Sequence, residues 1–228
     1  MILNMSTYLL LLGVPLVFGL WAQFRVTTTF NRYKKISVGS GLTGAEAAQQ
    51  ILHASAINDV EVVSIDSMLG DHYDPTKKRL NLSNDVFYGN SIAAVGVAAH
   101  ECGHALQHKS AYMPLKLRMT IVPATQFASQ ILPFVIIGGF FFHLMNLINL
   151  GIACYAMLMV FQLITLPVEF NASSRAKVIL QKMGIIQAPA EIDGVNAVLN
   201  AAALTYIAAF VAAAGNLIYL LLVRRDNR

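Results

Sequence analysis

Residues 98–108 read AAHECGHALQH, and the HECGH within them sets two histidines four residues apart with a glutamate directly after the first. On an α-helix His100 and His104 lie about 40° apart around the axis, so both imidazoles reach one ion from one face. Glu101 is turned about 100° from His100 and projects beside that ion, where a carboxylate can hold and deprotonate a water. Cys102 is turned about 200° from His100; it faces off the metal and reads as a small packing residue. A glutamate and two histidines entering a helix behind the apolar run IAAVGVAA need partners or a metal to offset their desolvation. The chemistry expected is metal-assisted hydrolysis.

A hydrolytic zinc site takes three protein ligands and keeps one position open for water. The variant with a third histidine, HExxHxxGxxH, fails here because position 107 is Gln107 and position 110 is Ser110. His108 follows His104 by four residues but is rotated about 80° from His100, so it reads as a helix-end histidine. Glu169 and Glu191 are the remaining downstream glutamates. Glu169 lies in LPVEFNASSRA at the end of an apolar stretch, where a carboxylate is costly unless it binds something. The plainer alternative is a helix-start carboxylate near its own dipole.

The elements that must bring these residues together are mostly membrane helices. The chain has 228 residues, 56% hydrophobic and 12% charged, with a mean hydropathy of +0.58, which is the composition of a membrane protein. Met1–Phe24, Met119–Val168 and Gly194–Val223 contain no Asp, Glu, Lys or Arg. The middle stretch would be roughly 75 Å long as one helix, too long for a single crossing, and reads as two helices with a turn in HLMNLINLG, residues 143–151. Four spans are expected, near 3–24, 120–143, 148–167 and 199–222. The first is an uncleaved anchor, since Arg25, Arg32, Lys34 and Lys35 follow its apolar run and do not precede it.

Ten Lys and Arg lie between the first two spans, so the positive-inside rule puts residues 25–118 in the cytoplasm. A full final crossing then leaves the basic tail RRDNR outside, against that rule; either the last helix is not a full span or the upstream bias wins. The net charge of +4 is thus a topology signal, and nucleic acid is not an expected partner because the basic residues flank spans without interleaved aromatics. Cys102 and Cys154 show neither ligand spacing nor a paired framework.

Within residues 25–118, Thr43-Gly-Ala-Glu46 fits a capping box ahead of a helix over 44–55. VEVVSI, 60–65, and KRLNLS, 78–83, read as strands, with the turn-rich GDHYDPTKK between them. Asn90 or Ser91 caps the motif helix, which ends near Lys109. The Ala-rich run 197–214 reads as a packed helix.

HECGHALQH, preceded by DHYDPTKKRLNLS and followed by LPVEFNASSRA, closely resembles the YugP-type neutral zinc metallopeptidases, a family of bacterial membrane proteins, over most of the chain. It is more distantly similar to the HtpX and CAAX-prenyl-protease type, in which a helix after HExxH carries Glu-x-x-x-Asp. That pattern maps Glu169 onto the third zinc ligand and puts Ser173 where the pattern has an Asp that orients a ligand histidine. The resemblance implies a gluzincin-like peptidase with one Zn2+ per chain on His100, His104 and Glu169, and Glu101 as general base and proton shuttle. Asn171, Ser173, Arg175, His72 and Tyr73 are candidates for supporting the ligands or stabilising the transition state, as is Tyr88. Leu80, Asn81 and Leu82 form the candidate edge strand for an extended substrate.

The architecture expected is a mainly α integral membrane protein of about four transmembrane helices with a small α+β zincin-like domain. Its parts are an anchor (1–24), a metallopeptidase domain (25–118, with the HExxH helix near 91–108), a transmembrane hairpin (119–168), a cytoplasmic-side segment carrying the third ligand (169–196), a last helix (197–223) and a basic tail (224–228). The expected setting is the cell membrane, with the site near the cytoplasmic face, peptide or membrane-protein substrates in a quality-control role, and room for an oligomer or a regulator. The competing readings are a zinc hydrolase of non-peptide substrates, and a non-catalytic membrane protein or accessory subunit with a structural metal site.

Overall fold

The computed structural model describes residues 5–67 and 69–226, so the first residues of the anchor and the end of the basic tail lie outside the described residues. A short helix α1 (Met5–Tyr8) passes through a π-helical turn (Leu9–Gly13) into α2 (Val14–Tyr33). Then come α3 (Gly44–Ala54), β1 (Glu61–Ile65), β2 (His72–Asp74), β3 (Arg79–Ser83), α4 (Asn84–Phe87), α5 (Ile92–Lys109), α6 (Met113–Phe141), α7 (Met145–Lys182) and α8 (Pro189–Asp226). Among the described residues, four helical segments are long and apolar enough to cross a membrane: Leu9–Tyr33, Met113–Phe141, Met145–Lys182 and Pro189–Asp226. The chain is a mainly α membrane protein with a small sheet.

By internal contacts the chain divides into two compact units, Met1–Gln23 with Lys116–Leu166 and Leu204–Arg228, and Phe24–Leu115 with Pro167–Ala203. In the first, α6 and α7 form a hairpin whose turn falls at residues 142–144, with His143 at φ 53°. The expected turn region began there but extended too far: Asn146, Asn149 and Gly151 are helical. Helix pairs in this unit close on small residues. A Cβ on Gly215 would stand 2.4 Å from the Leu11 carbonyl oxygen, and one on Gly139 2.8 Å from Ile148, the close approach that small residues give membrane helices.

The second unit holds the core that positions the motif. Ile51 and Leu52 of α3, Leu80 and Leu82 of β3, Val95, Ala98 and Cys102 of α5, Leu180 of α7 and Val195 of α8 are all buried in one cluster. Helix α3 starts on the expected capping box: Thr43 Oγ1 accepts from the Glu46 amide and Glu46 accepts from the Thr43 amide. Helix α5 starts on Ser91, whose Oγ accepts from the Ala94 amide, and ends on the basic residues His108 and Lys109, a residue type that suits a helix C-terminus.

The sheet has the order β1-β3-β2, with β1 parallel and β2 antiparallel to β3. This corrects the expectation for Leu80, Asn81 and Leu82. Their strand is central, hydrogen-bonded on both sides, and Leu80 and Leu82 are fully buried, so it has no open edge to offer an extended peptide. The turn-rich segment before it contains the missed strand β2. The second hairpin helix also does not end at Val168: α7 runs unbroken to Lys182, and α8 begins at Pro189.

Candidate metal centre

All of the candidate ligands belong to the second unit. Helix α5 sets His100 and His104 on one face with ring centroids 4.8 Å apart. Glu169 on α7 meets them: its Oε2 lies 3.2 Å from His100 Nε2 and 3.6 Å from His104 Nε2. One donor atom from each residue falls within 4.8 Å of the others. Glycine makes this meeting feasible, because a Cβ on Gly103 would stand 2.6 Å from the Ala172 carbonyl oxygen. Ala172 and Ala176 present the matching small side chains on α7, both fully buried.

The donor set suits a zinc ion. Glu169 is 2% exposed, and a carboxylate so far from water needs positive charge beside it. Two imidazole nitrogens and one carboxylate oxygen are the ligand types zinc takes in hydrolytic sites. The site also attracts positive charge: burial alone would lower the pKa of His104, yet its hydrogen bond with Glu169 and the charges of Glu101 and Glu169 leave it raised.

The far side of each imidazole is held. Ser173 Oγ lies 3.1 Å from His100 Nδ1, so the serine standing in place of the expected aspartate does reach that histidine. Gln107 Oε1 lies 3.0 Å from His104 Nδ1, and Gln107 is fully buried. Gln107 Nε2 donates to the Val168 carbonyl at 2.7 Å and to Asn171 Oδ1 at 3.1 Å, and Arg175 Nε donates to the same Asn171 oxygen at 2.8 Å. Gln107 is a supporting residue absent from the sequence-based candidates. The signal was its place three residues after His104, on the same helix face.

Glu101, 7% exposed, stands beside the triad and outside it. Its Oε2 accepts the backbone N–H of Tyr73 at 2.9 Å, which ties β2 to the motif helix. The next turn of chain is anchored by Asp71, whose carboxylate accepts from the Ser83 amide and hydroxyl. Burial raises the Asp71 pKa, the Ser83 bonds oppose that, and the Glu101 charge adds to the rise. Beyond Tyr73 lies a cavity of about 380 Å3 lined by Ile57, Val60, Tyr73, Ala105 and His108, among others.

The other candidates are placed as follows. The Tyr73 phenol is 2.9 Å from His108 Nδ1, and burial pushes its pKa up to about 12, so it keeps its proton. His72 spends Nδ1 on the Gly70 carbonyl and Nε2 on the Asn81 amide, away from the ligands. Tyr88 is 67% exposed. Cys102 is buried against α3, its Sγ 3.6 Å from the Ala48 carbonyl oxygen, and burial raises its thiol pKa. Glu191, the other downstream glutamate, is committed to the amides of Gly39, Gln187 and Ala188.

Residues 8–225 match the family model described as "Putative neutral zinc metallopeptidase". The chain is also 48% identical over 208 residues to the "Putative membrane protease YugP" of Bacillus subtilis (strain 168), covering 91% of this chain and 92% of the relative. No solved structure matches it. With a model match spanning nearly its whole length and a relative at that identity, the chain belongs to the neutral zinc metallopeptidase family.

Proposed function

We propose that the chain is a gluzincin-like membrane endopeptidase that holds one zinc per chain on His100, His104 and Glu169 and uses Glu101 as its general base. The observation that carries this reading is the convergence of two histidines from α5 with a buried carboxylate from α7, with Glu101 held beside them and not among them. When bound, zinc supplies Lewis acidity, which polarises a carbonyl and lowers the pKa of water. Glu101 takes the proton from the attacking water and delivers it to the leaving amine. The Tyr73 N–H fixes one oxygen of Glu101, which keeps the base turned to one side of the ligand face.

Peptide substrates are proposed to pair with β2 and not with β3. One side of β2 is hydrogen-bonded to β3; on the other side the Tyr73 amide is taken by the base, which leaves the Tyr73 carbonyl as the acceptor on the edge beside the chemistry. Pairing through backbone bonds gives weak sequence selectivity, which suits an enzyme that clears membrane-protein segments. The metallopeptidase part is proposed to be residues 25–118, completed by the start of 169–196, with the site at the cytoplasmic face of the cell membrane. The ten Lys and Arg between the first two apolar stretches support that side.

A structural metal site needs ligands but no base. The test is therefore Glu101→Gln, measured for bound zinc and for cleavage of an unfolded casein substrate. The expected result is retained zinc with cleavage lowered by about a thousandfold, within the range a single positioned acid–base group supplies. Cleavage at the wild-type rate would sink the mechanism.

A further inference from the structure

The hydrogen bonds behind His104 have a direction, and both of its outer anchors are groups that cannot reverse. A guanidinium only donates, and a backbone carbonyl only accepts. Arg175 Nε faces Asn171 at 2.8 Å, so Asn171 must present its oxygen there. That same oxygen lies 3.1 Å from the Gln107 amide, whose other neighbour on that side is the Val168 carbonyl at 2.7 Å. Two acceptors on one side force Gln107 to turn its NH2 toward them and its oxygen toward His104. The ring must then carry its proton on Nδ1, 3.0 Å from that oxygen. Its Nε2 is the nitrogen left to face Glu169 and, once deprotonated, to take the metal.

His100 has no such constraint from its own partner. Ser173 Oγ, 3.1 Å from His100 Nδ1, is a hydroxyl that donates or accepts by rotation. We infer that Arg175, Asn171 and Gln107 form a one-directional relay that fixes His104 as an Nε2 ligand, with Gln107 as its positioning residue. This rests on the metal reading above. It also explains why a glutamine and not a glutamate stands at position 107, since a carboxylate would set its second oxygen against the Val168 and Asn171 oxygens.

The experiment is zinc affinity of the full-length protein in detergent, measured by competition with a chromogenic chelator, together with thermal unfolding and the visible spectrum of the cobalt-loaded protein. Gln107→Met keeps the volume and loses the acceptor; it is expected to bind zinc about 10-fold or more weakly and to shift the cobalt spectrum. Gln107→Glu keeps the acceptor for His104; it is expected to unfold at lower temperature yet to bind zinc within about threefold of wild type. Equal losses in both variants would reduce Gln107 to packing and overturn the relay, as would wild-type affinity in Gln107→Met. Should Gln107→Met fail to accumulate, Asn171→Ala at its half-buried position serves instead, with about a threefold loss expected and wild-type affinity again overturning the relay. A wild-type protein that binds no zinc refutes the metal reading itself, whereas wild-type binding with unchanged variants refutes the relay alone.

Discussion

At the scale of single residues, the site depends on Glu169 more than on any other distant group. It is buried, it faces both histidines, and it comes from a helix outside the motif. Glu169→Ala is expected to lower zinc affinity by about 10-fold or more, read by metal content after dialysis. Unchanged metal content would move the third ligand elsewhere. The pairing of His100 with His104 was legible because helical spacing alone aligns residues four apart. Glu169 was legible as a costly carboxylate at the end of an apolar run, though its assignment as a ligand came from resemblance. For Gln107 only the contact with His104 could be read, from their spacing of three on one helix; its anchoring by the Val168 carbonyl and the Asn171 side chain of α7 could not, because no local pattern brings those groups to α5.

At the scale of elements, the crossing of α5 and α7 decides whether a site exists. Gly103→Ala would favour an isolated helix by about 1 kcal/mol. Here the added methyl would meet the Ala172 backbone at 2.6 Å, and backbone cannot step aside as a flexible side chain can. Overpacking of this kind costs about 1 to 3 kcal/mol. Gly103→Ala is therefore expected to lower both the thermal unfolding temperature and zinc affinity, and a more stable variant with full affinity would contradict the crossing. The helices around the motif were readable from their caps, Thr43 with Glu46 for α3 and Asn90 or Ser91 for α5, of which Ser91 is the cap. Strand β2 was not, because its three residues sit among turn formers and are held by β3 and by Glu101. Without β2, the strand expected over 78–83 reads as an edge; with it, β3 is the centre of the sheet.

At the scale of the whole molecule, composition alone marked a membrane protein, and the four expected apolar spans appear as long helices. Their ends were less readable because α7 and α8 continue past their uncharged stretches as ordinary helix, α7 carrying Glu169 and Ser173 within the same unbroken element. The proposed cytoplasmic side is open to test: Lys77→Cys, at an exposed position, is expected to react with an impermeant thiol reagent in inside-out vesicles and not in intact cells. The two native cysteines are buried and give little background. Labelling in intact cells would place the site on the other face. The central claim, one catalytic zinc per chain, is tested most directly by metal analysis and peptide cleavage on one purified preparation before chelation, after it, and after zinc is restored. The account predicts one zinc per chain, loss of cleavage with the metal, and recovery at one added equivalent; cleavage that persists undiminished in the stripped protein would contradict it.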